Sequence, residues 1–155
     1  MSRARSARVA SRQRPELVTE TKTLGAAESG EIYIVSGSSD ITLTLPSPEE
    51  GSYFKFIYGA RTNAGGTAGA HMSKNMVITT ADSTHHMHGV VTDLSASEAV
   101  LYPTANGSGH RTYTMGTATG PIGGNPKAGS YIECVSDGHQ WYVQGFVSGG
   151  ANAFS

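Results

Sequence analysis

Residues 130–147 read SYIECVSDGHQWYVQGFV, and the alternation in this stretch decides the fold. Two runs with apolar residues at every second position flank Asp137-Gly138, a dipeptide that strongly signals a two-residue β-hairpin turn. Pairing Ser136 with His139 sets Cys134 opposite Trp141 and Ile132 opposite Val143. Ile132, Cys134, Trp141 and Val143 then form one apolar hairpin core face, while Glu133, Gln140, Tyr142 and Gln144 share the other. A slip of one residue would mix the faces, so pattern and turn agree. Trp141 is expected in the core rather than on a sugar-stacking platform, and Cys134 as a packed, inert thiol. A lone cysteine excludes an internal disulfide framework.

Working outward, the same period recurs. EIYIVS (31–36) turns through Gly-Ser-Ser-Asp and returns as ITLTLP (41–46), where Ile41, Leu43 and Leu45 face one way and Thr42 and Thr44 the other. YFKFIY (53–58) puts Phe54, Phe56 and Tyr58 on one face. NMVITT (75–80), VVTD, AVLY and RTYTMG (111–116) read as further strands, TADSTHHMHG as polar loop. LSASEAVL also fits one helical turn, because Ser95 and Glu98 have capping-box spacing. Residues 59–74 and 116–129 are glycine-rich loops. The whole predicts an all-β chain of about eight strands, an antiparallel β-sandwich or jelly-roll-like barrel.

Charge divides the chain. MSRARSARVASRQR (1–14) carries Arg3, Arg5, Arg8, Arg12 and Arg14 and no acid, a local +5. The other six basic and all twelve acidic residues lie beyond it, so a total of −1 hides a cationic arm on an acidic body. Such asymmetry suggests an arm that lies on an anionic partner. The boundaries expected are an arm over 1–22, a body over 23–148 and a short tail over 149–155. Leu, Ile, Val and Phe total 27, about 17% of the chain, a lean supply for one core. Low net charge and clustered apolar residues argue against disorder, and burial against identical neighbours would supply the missing area. No run approaches the ~18 apolar residues of a membrane helix, so no membrane partner is expected. No apolar region follows the arginines as in a secretory signal, and the start lacks the amphipathic spacing of a transit peptide.

Chemistry-bearing patterns are few. His85, His86 and His88 sit in STHHMHG, where the alternate His86 and His88 could grip zinc or nickel from one side of an extended segment. Three ligands within four residues rarely close a tetrahedral site, Asp82 is the one acidic helper nearby, and His71 and His110 lie in other loops. A solvated loop, or a histidine ring about a symmetry axis, is the plainer reading. No nucleophile elbow, zinc-protease motif or phosphate-binding loop is present, and Glu49 and Glu50 read as a solvated turn. The chain is therefore expected to be no enzyme, with no cofactor and no metal. Asn106-Gly-Ser matches a glycosylation pattern without any other sign of secretion. For the arm, nucleic acid is disfavoured because aromatics are not interleaved and the body is acidic. An acidic protein surface is the expected partner of Arg3, Arg5, Arg8, Arg12 and Arg14.

ITLTLPSPEEGSYFKFIYG, then NMVITT, then YIECVSDGHQWYV and a following glycine, resemble the idiom of small β-rich structural proteins of tailed bacteriophages. The nearest likeness is to trimeric capsid decoration, or cement, proteins, with head fibres close behind; the matched segments cover roughly a third of the chain. The resemblance implies a β-sandwich or β-tulip-like body, a homotrimer and an arm laid on the shell. It implies the major capsid protein as partner, the outer capsid surface of the virion as location, and a mechanism of clamping neighbouring capsomers. The alternatives are a fibre or adhesin module binding a host surface glycan, and a metal-dependent or hydrolytic enzyme using His85, His86 and His88.

Overall fold

A computed structural model of the chain describes residues 15–60, 72, 74–94, 99–103, 110–116, 126–149 and 151–154. All five arm arginines, the Ser95–Glu98 turn, His71 and most of both glycine-rich loops lie outside the described residues. The described chain is mostly strand, with one 3-10 turn at Ala26–Glu28. The strands are β1 (Glu16–Val18), β2 (Lys22–Thr23), β3 (Ile32–Val35), β4 (Ile41–Thr44), β5 (Glu50–Tyr58) and β6 (Met76–Thr79). They continue as β7 (Met87–Leu94), β8 (Ala99–Pro103), β9 (Thr112–Gly116), β10 (Tyr131–Asp137), β11 (Trp141–Val147) and β12 (Ala151–Phe154). They form a seven-stranded sheet, β1-β3-β5-β10-β11-β7-β8, and a five-stranded sheet, β12-β9-β6-β4-β2.

The all-β class holds, but the antiparallel expectation and the count of about eight strands do not. Both sheets are mixed: β1–β3, β3–β5, β2–β4, β4–β6 and β7–β11 run parallel, the remaining pairs antiparallel. The cause is how the first six strands wind. Successive strands alternate between sheets, so each return lies parallel to the strand laid down two earlier. The expected hairpin of 31–36 with 41–46 is thus a crossover between sheets. Gly37 begins that crossover pressed on the preceding turn: a Cβ there would sit 2.9 Å from the Thr19 carbonyl oxygen and 2.6 Å from Ile41. Parallel neighbours need such crossovers, whereas antiparallel ones can use tight turns.

The expected boundaries shift as well. Residues 16–18 and 22–23 pair into the two sheets, so the segment before 23 is not all arm. Residues 151–154 pair with β9, so the expected tail contains a strand. His88, expected in a loop, lies within β7.

The last hairpin has the expected faces and a different register. Ser136 pairs with Trp141, Cys134 with Val143 and Ile132 with Gly145. The loop is two residues longer than a tight turn because the Asp137 carboxylate captures it. Its Oδ1 accepts the backbone N–H groups of His139 and Gln140 at 2.8 Å each, and Oδ2 accepts the Tyr142 hydroxyl at 2.9 Å. Gly138 takes φ +92°, which suits glycine. An even slip preserves side-chain parity, so Ile132, Cys134, Trp141 and Val143 are still buried together.

The N–H donors of Gln140 and His139, then the Tyr142 hydroxyl, hold the Asp137 carboxyl down from 3.8 to about 2. A depressed carboxylate stabilises the fold above its unfolded value and loses that contribution as pH falls through the folded one. Melting temperature should therefore fall between about pH 4 and pH 2, and less steeply in Asp137→Asn, which keeps an acceptor oxygen but cannot titrate. An unchanged slope in that variant would assign the acid sensitivity elsewhere.

Side chains of both sheets meet in one buried cluster. The sparse Leu, Ile, Val and Phe count understates it. Tyr33, Tyr58 and Tyr113, and Met72, Met76, Met87 and Met115, are fully buried as well. Tyr33 stacks on Phe56 at 5.6 Å, and Phe54 meets Trp141 at 5.8 Å, spacings at which aromatic pairs attract. Tyr58 donates its hydroxyl to the Met72 and Lys74 carbonyls, which ties the end of the 59–74 segment to the core.

Candidate functional site

Strand parity that buries one side of the seven-stranded sheet presents the other, and that outer side carries the most distinctive surface of the described chain. Ladder register aligns its side chains in rows across the strands. One row runs Leu17, Ile34, Ile57, Tyr131, Phe146, Thr92, from β1 at the edge to β7. Leu17 is 53% and Phe146 50% exposed, at either end of a run of five apolar side chains on adjacent strands. The next row runs Ile32, Lys55, Glu133, Gln144, Val90, and a third Tyr53, Val135, Tyr142, His88.

Between the apolar rows lies a polar seam whose members satisfy one another. Lys55 Nζ is 2.8 Å from Glu133 Oε1 and 4.2 Å from the centroid of the Tyr131 ring. The Tyr53 hydroxyl donates to Glu133 at 3.2 Å, and Gln144 Nε2 to its other oxygen at 3.2 Å. The Lys55 hydrogen bond leads in lowering the Glu133 pKa below the usual carboxylate range, and the Glu133 hydrogen bond leads in raising that of Lys55. Burial, then the Glu133 charge, pushes the Tyr53 hydroxyl up. The Tyr131 and Phe146 rings lie 5.9 Å apart beside this seam. An open groove crosses the face over β10, β11 and β7, lined by Tyr131, Glu133, Gln144, Phe146, Val90 and Thr92. It offers aromatic contact and hydrogen bonding, with its one carboxylate already paired.

Sequence reasoning placed Glu133, Gln140, Tyr142 and Gln144 on this side of the last hairpin and so missed the row. The signal was present in EIYIV and YFKFIY, where both alternating faces hold apolar residues.

The other sequence-singled residues are dispersed. His85 Nδ1 is 2.9 Å from Asp82 Oδ2, and the Thr84 hydroxyl, then its N–H, lead in holding Asp82 at about 2. The backbone of His86 joins the loop to β11, its N–H donating to the Gln140 side chain and its carbonyl accepting from Trp141 at 3.0 Å. His88 projects beside Tyr142, ring centroids 6.2 Å apart. Among the described residues no three His, Cys, Asp or Glu side chains gather to hold a metal. Trp141 is wholly buried and cannot stack on a sugar. Burial pushes the Cys134 thiol far up, which disfavours the reactive thiolate.

At the root of the basic segment, Lys22 pairs with Glu16 at 2.7 Å and Glu28 at 2.6 Å and lies 5.0 Å from the Tyr33 ring centroid. These contacts tie β1, β2, the 3-10 turn and β3 together where the chain emerges from residue 14. No family model, curated protein or solved structure matches this chain.

Proposed function

We propose that this chain is a non-enzymatic structural protein of a virus particle, a capsid decoration protein that coats the outer surface of the mature head as a homotrimer. On this reading the two sheets are the layers of a β-sandwich or β-tulip-like body. Arg3, Arg5, Arg8, Arg12 and Arg14 lie on acidic patches of the major capsid protein. Binding that requires the assembled lattice stabilises it by mass action, clamping neighbouring capsomers. The observation that carries the reading is the arm's attachment: five arginines precede an edge strand pinned by Lys22, so a cationic segment leaves a folded, acidic body from one defined point. Arm charges of this kind steer and orient docking.

The test is deletion of residues 1–14, which stops before β1; a longer cut would remove sheet. The shortened protein should fold and keep its oligomeric mass yet fail to coat undecorated heads at physiological salt. Full retention on the heads would refute the role of the arm.

A second reading, a head-fibre or adhesin module binding a host glycan, is favoured by the groove that combines Tyr131 and Phe146 with Glu133 and Gln144. Glycan-array binding lost in Tyr131→Ala, with folding intact, would select it.

A further inference from the structure

We propose that the outer face of the seven-stranded sheet is the surface by which one copy of this chain packs on another, centred on Ile57, Tyr131 and Phe146. The inference rests on the structural-protein reading for its setting and names the face that reading leaves open.

Three features select a second copy as the occupant. The first is chemistry. The row from Leu17 to Phe146 crosses five adjacent strands with aliphatic and aromatic side chains only. Interface centres favour such aromatic residues in a patch depleted of free charge.

The second is charge. Lys55 and Glu133 cancel, and Glu133 also takes the Tyr53 and Gln144 donors, so the seam can leave water without stranding an ion. Residues 15–155 carry −6, and two such bodies meet with least repulsion through a neutral face. The same pairing argues against the chain's own arginine arm as occupant, because Glu133 is the one acid in these rows and is already engaged.

The third is size. Strands lie about 4.8 Å apart, so β1 to β7 spans about 24 Å, and the rows with their side chains cover about 20 Å along the strands. That is about 480 Å² per copy and about 1,000 Å² for a pair, the least that a specific interface needs.

The experiment measures the mass of the full chain by size exclusion with light scattering, at micromolar concentration and physiological salt. Wild type should run as a multiple of 16.2 kDa. Phe146→Glu combined with Leu17→Glu should reduce it to the single-chain mass. Thr42→Glu, on β4 of the other sheet, should leave it unchanged. Trp141 fluorescence reports folding, and Gln144→Cys serves if the double variant does not fold. That thiol should cross-link copies with a bismaleimide while Thr42→Cys does not, and Cys134 is buried and adds no background.

A monomeric wild type overturns the proposal, whether or not it captures a glycan in the groove. So does a double variant that folds and keeps the wild-type mass, or a Gln144→Cys protein that fails to cross-link. Copies that associate through this face but never coat heads would instead refute the decoration reading and leave this inference standing.

Discussion

Replacing Gly89 with alanine is expected to lower the melting temperature by about 10 °C or more. Gly89 lies in β7 directly opposite Val143 of β11, at φ +151°. A Cβ there would stand 1.7 Å from the Val143 carbonyl oxygen and 2.7 Å from its carbon. Those atoms are backbone, and Val143 is held on its other side by Cys134 of β10. The ladder must open or β7 must shift. Strained backbone costs roughly 1–3 kcal/mol and overpacking a similar amount, a large share of a typical stability of about 5–15 kcal/mol. Gly30→Ala is the control. Its φ is +98°, but nothing lies within 4 Å of the added methyl, so the backbone term stands alone, about 1–2 kcal/mol. Melting curves at one protein concentration compare the two; equal losses would show that the approach of β7 to β11 does not limit stability.

Trp141→Ala is expected to cost about 3–5 kcal/mol, the usual range for a fully buried large aromatic. The ring is wholly buried and packs on Phe54. It joins the hairpin to β5 and β7 inside a core with few large aliphatic residues. Trp141→Phe should cost less than half as much. The indole Nε1 is buried without a hydrogen-bond partner among the described residues. Removing it relieves an unsatisfied donor, an effect of about 1–3 kcal/mol that offsets part of the lost area. Urea denaturation of the three proteins gives the ratio, and equal losses for Ala and Phe would mean that the indole nitrogen finds a partner in solution. Glycan binding abolished by Trp141→Ala would therefore report unfolding, and Tyr131 is the residue that separates the readings.

Much of the local structure was legible in the residues. Ile41, Leu43 and Leu45, and Phe54, Phe56 and Tyr58, are buried on the faces their spacing assigns. The Ile132, Cys134, Trp141 and Val143 face survives a two-residue error in register because the error is even. The loop length was missed because Asp137-Gly138 is compatible with both a tight turn and a loop caged by the aspartate, and the choice depends on Tyr142 reaching back. The outer row was missed for a related reason. Leu17, Ile34, Ile57, Tyr131 and Phe146 lie on five separate strands. None is conspicuous until the ladders align them.

While β1, β2, β12 and the start of β7 were not read as strand, the residues by themselves determined the strands β3 to β6 and β9 to β11, the buried sides of β4, β5 and the last hairpin, and that a basic stretch precedes an acidic body. These are properties of single segments, written in a period of two and in local charge. Which strands are neighbours, which pairs run parallel, and what surface the outer faces compose were decided only by the tertiary structure. A strand's alternation states that it has a wet side and a dry side, and is silent about the partner on its edge. That partner is set by where each crossover can go: Gly37 against Thr19, and Gly89 against Val143, are close approaches between segments far apart in the chain.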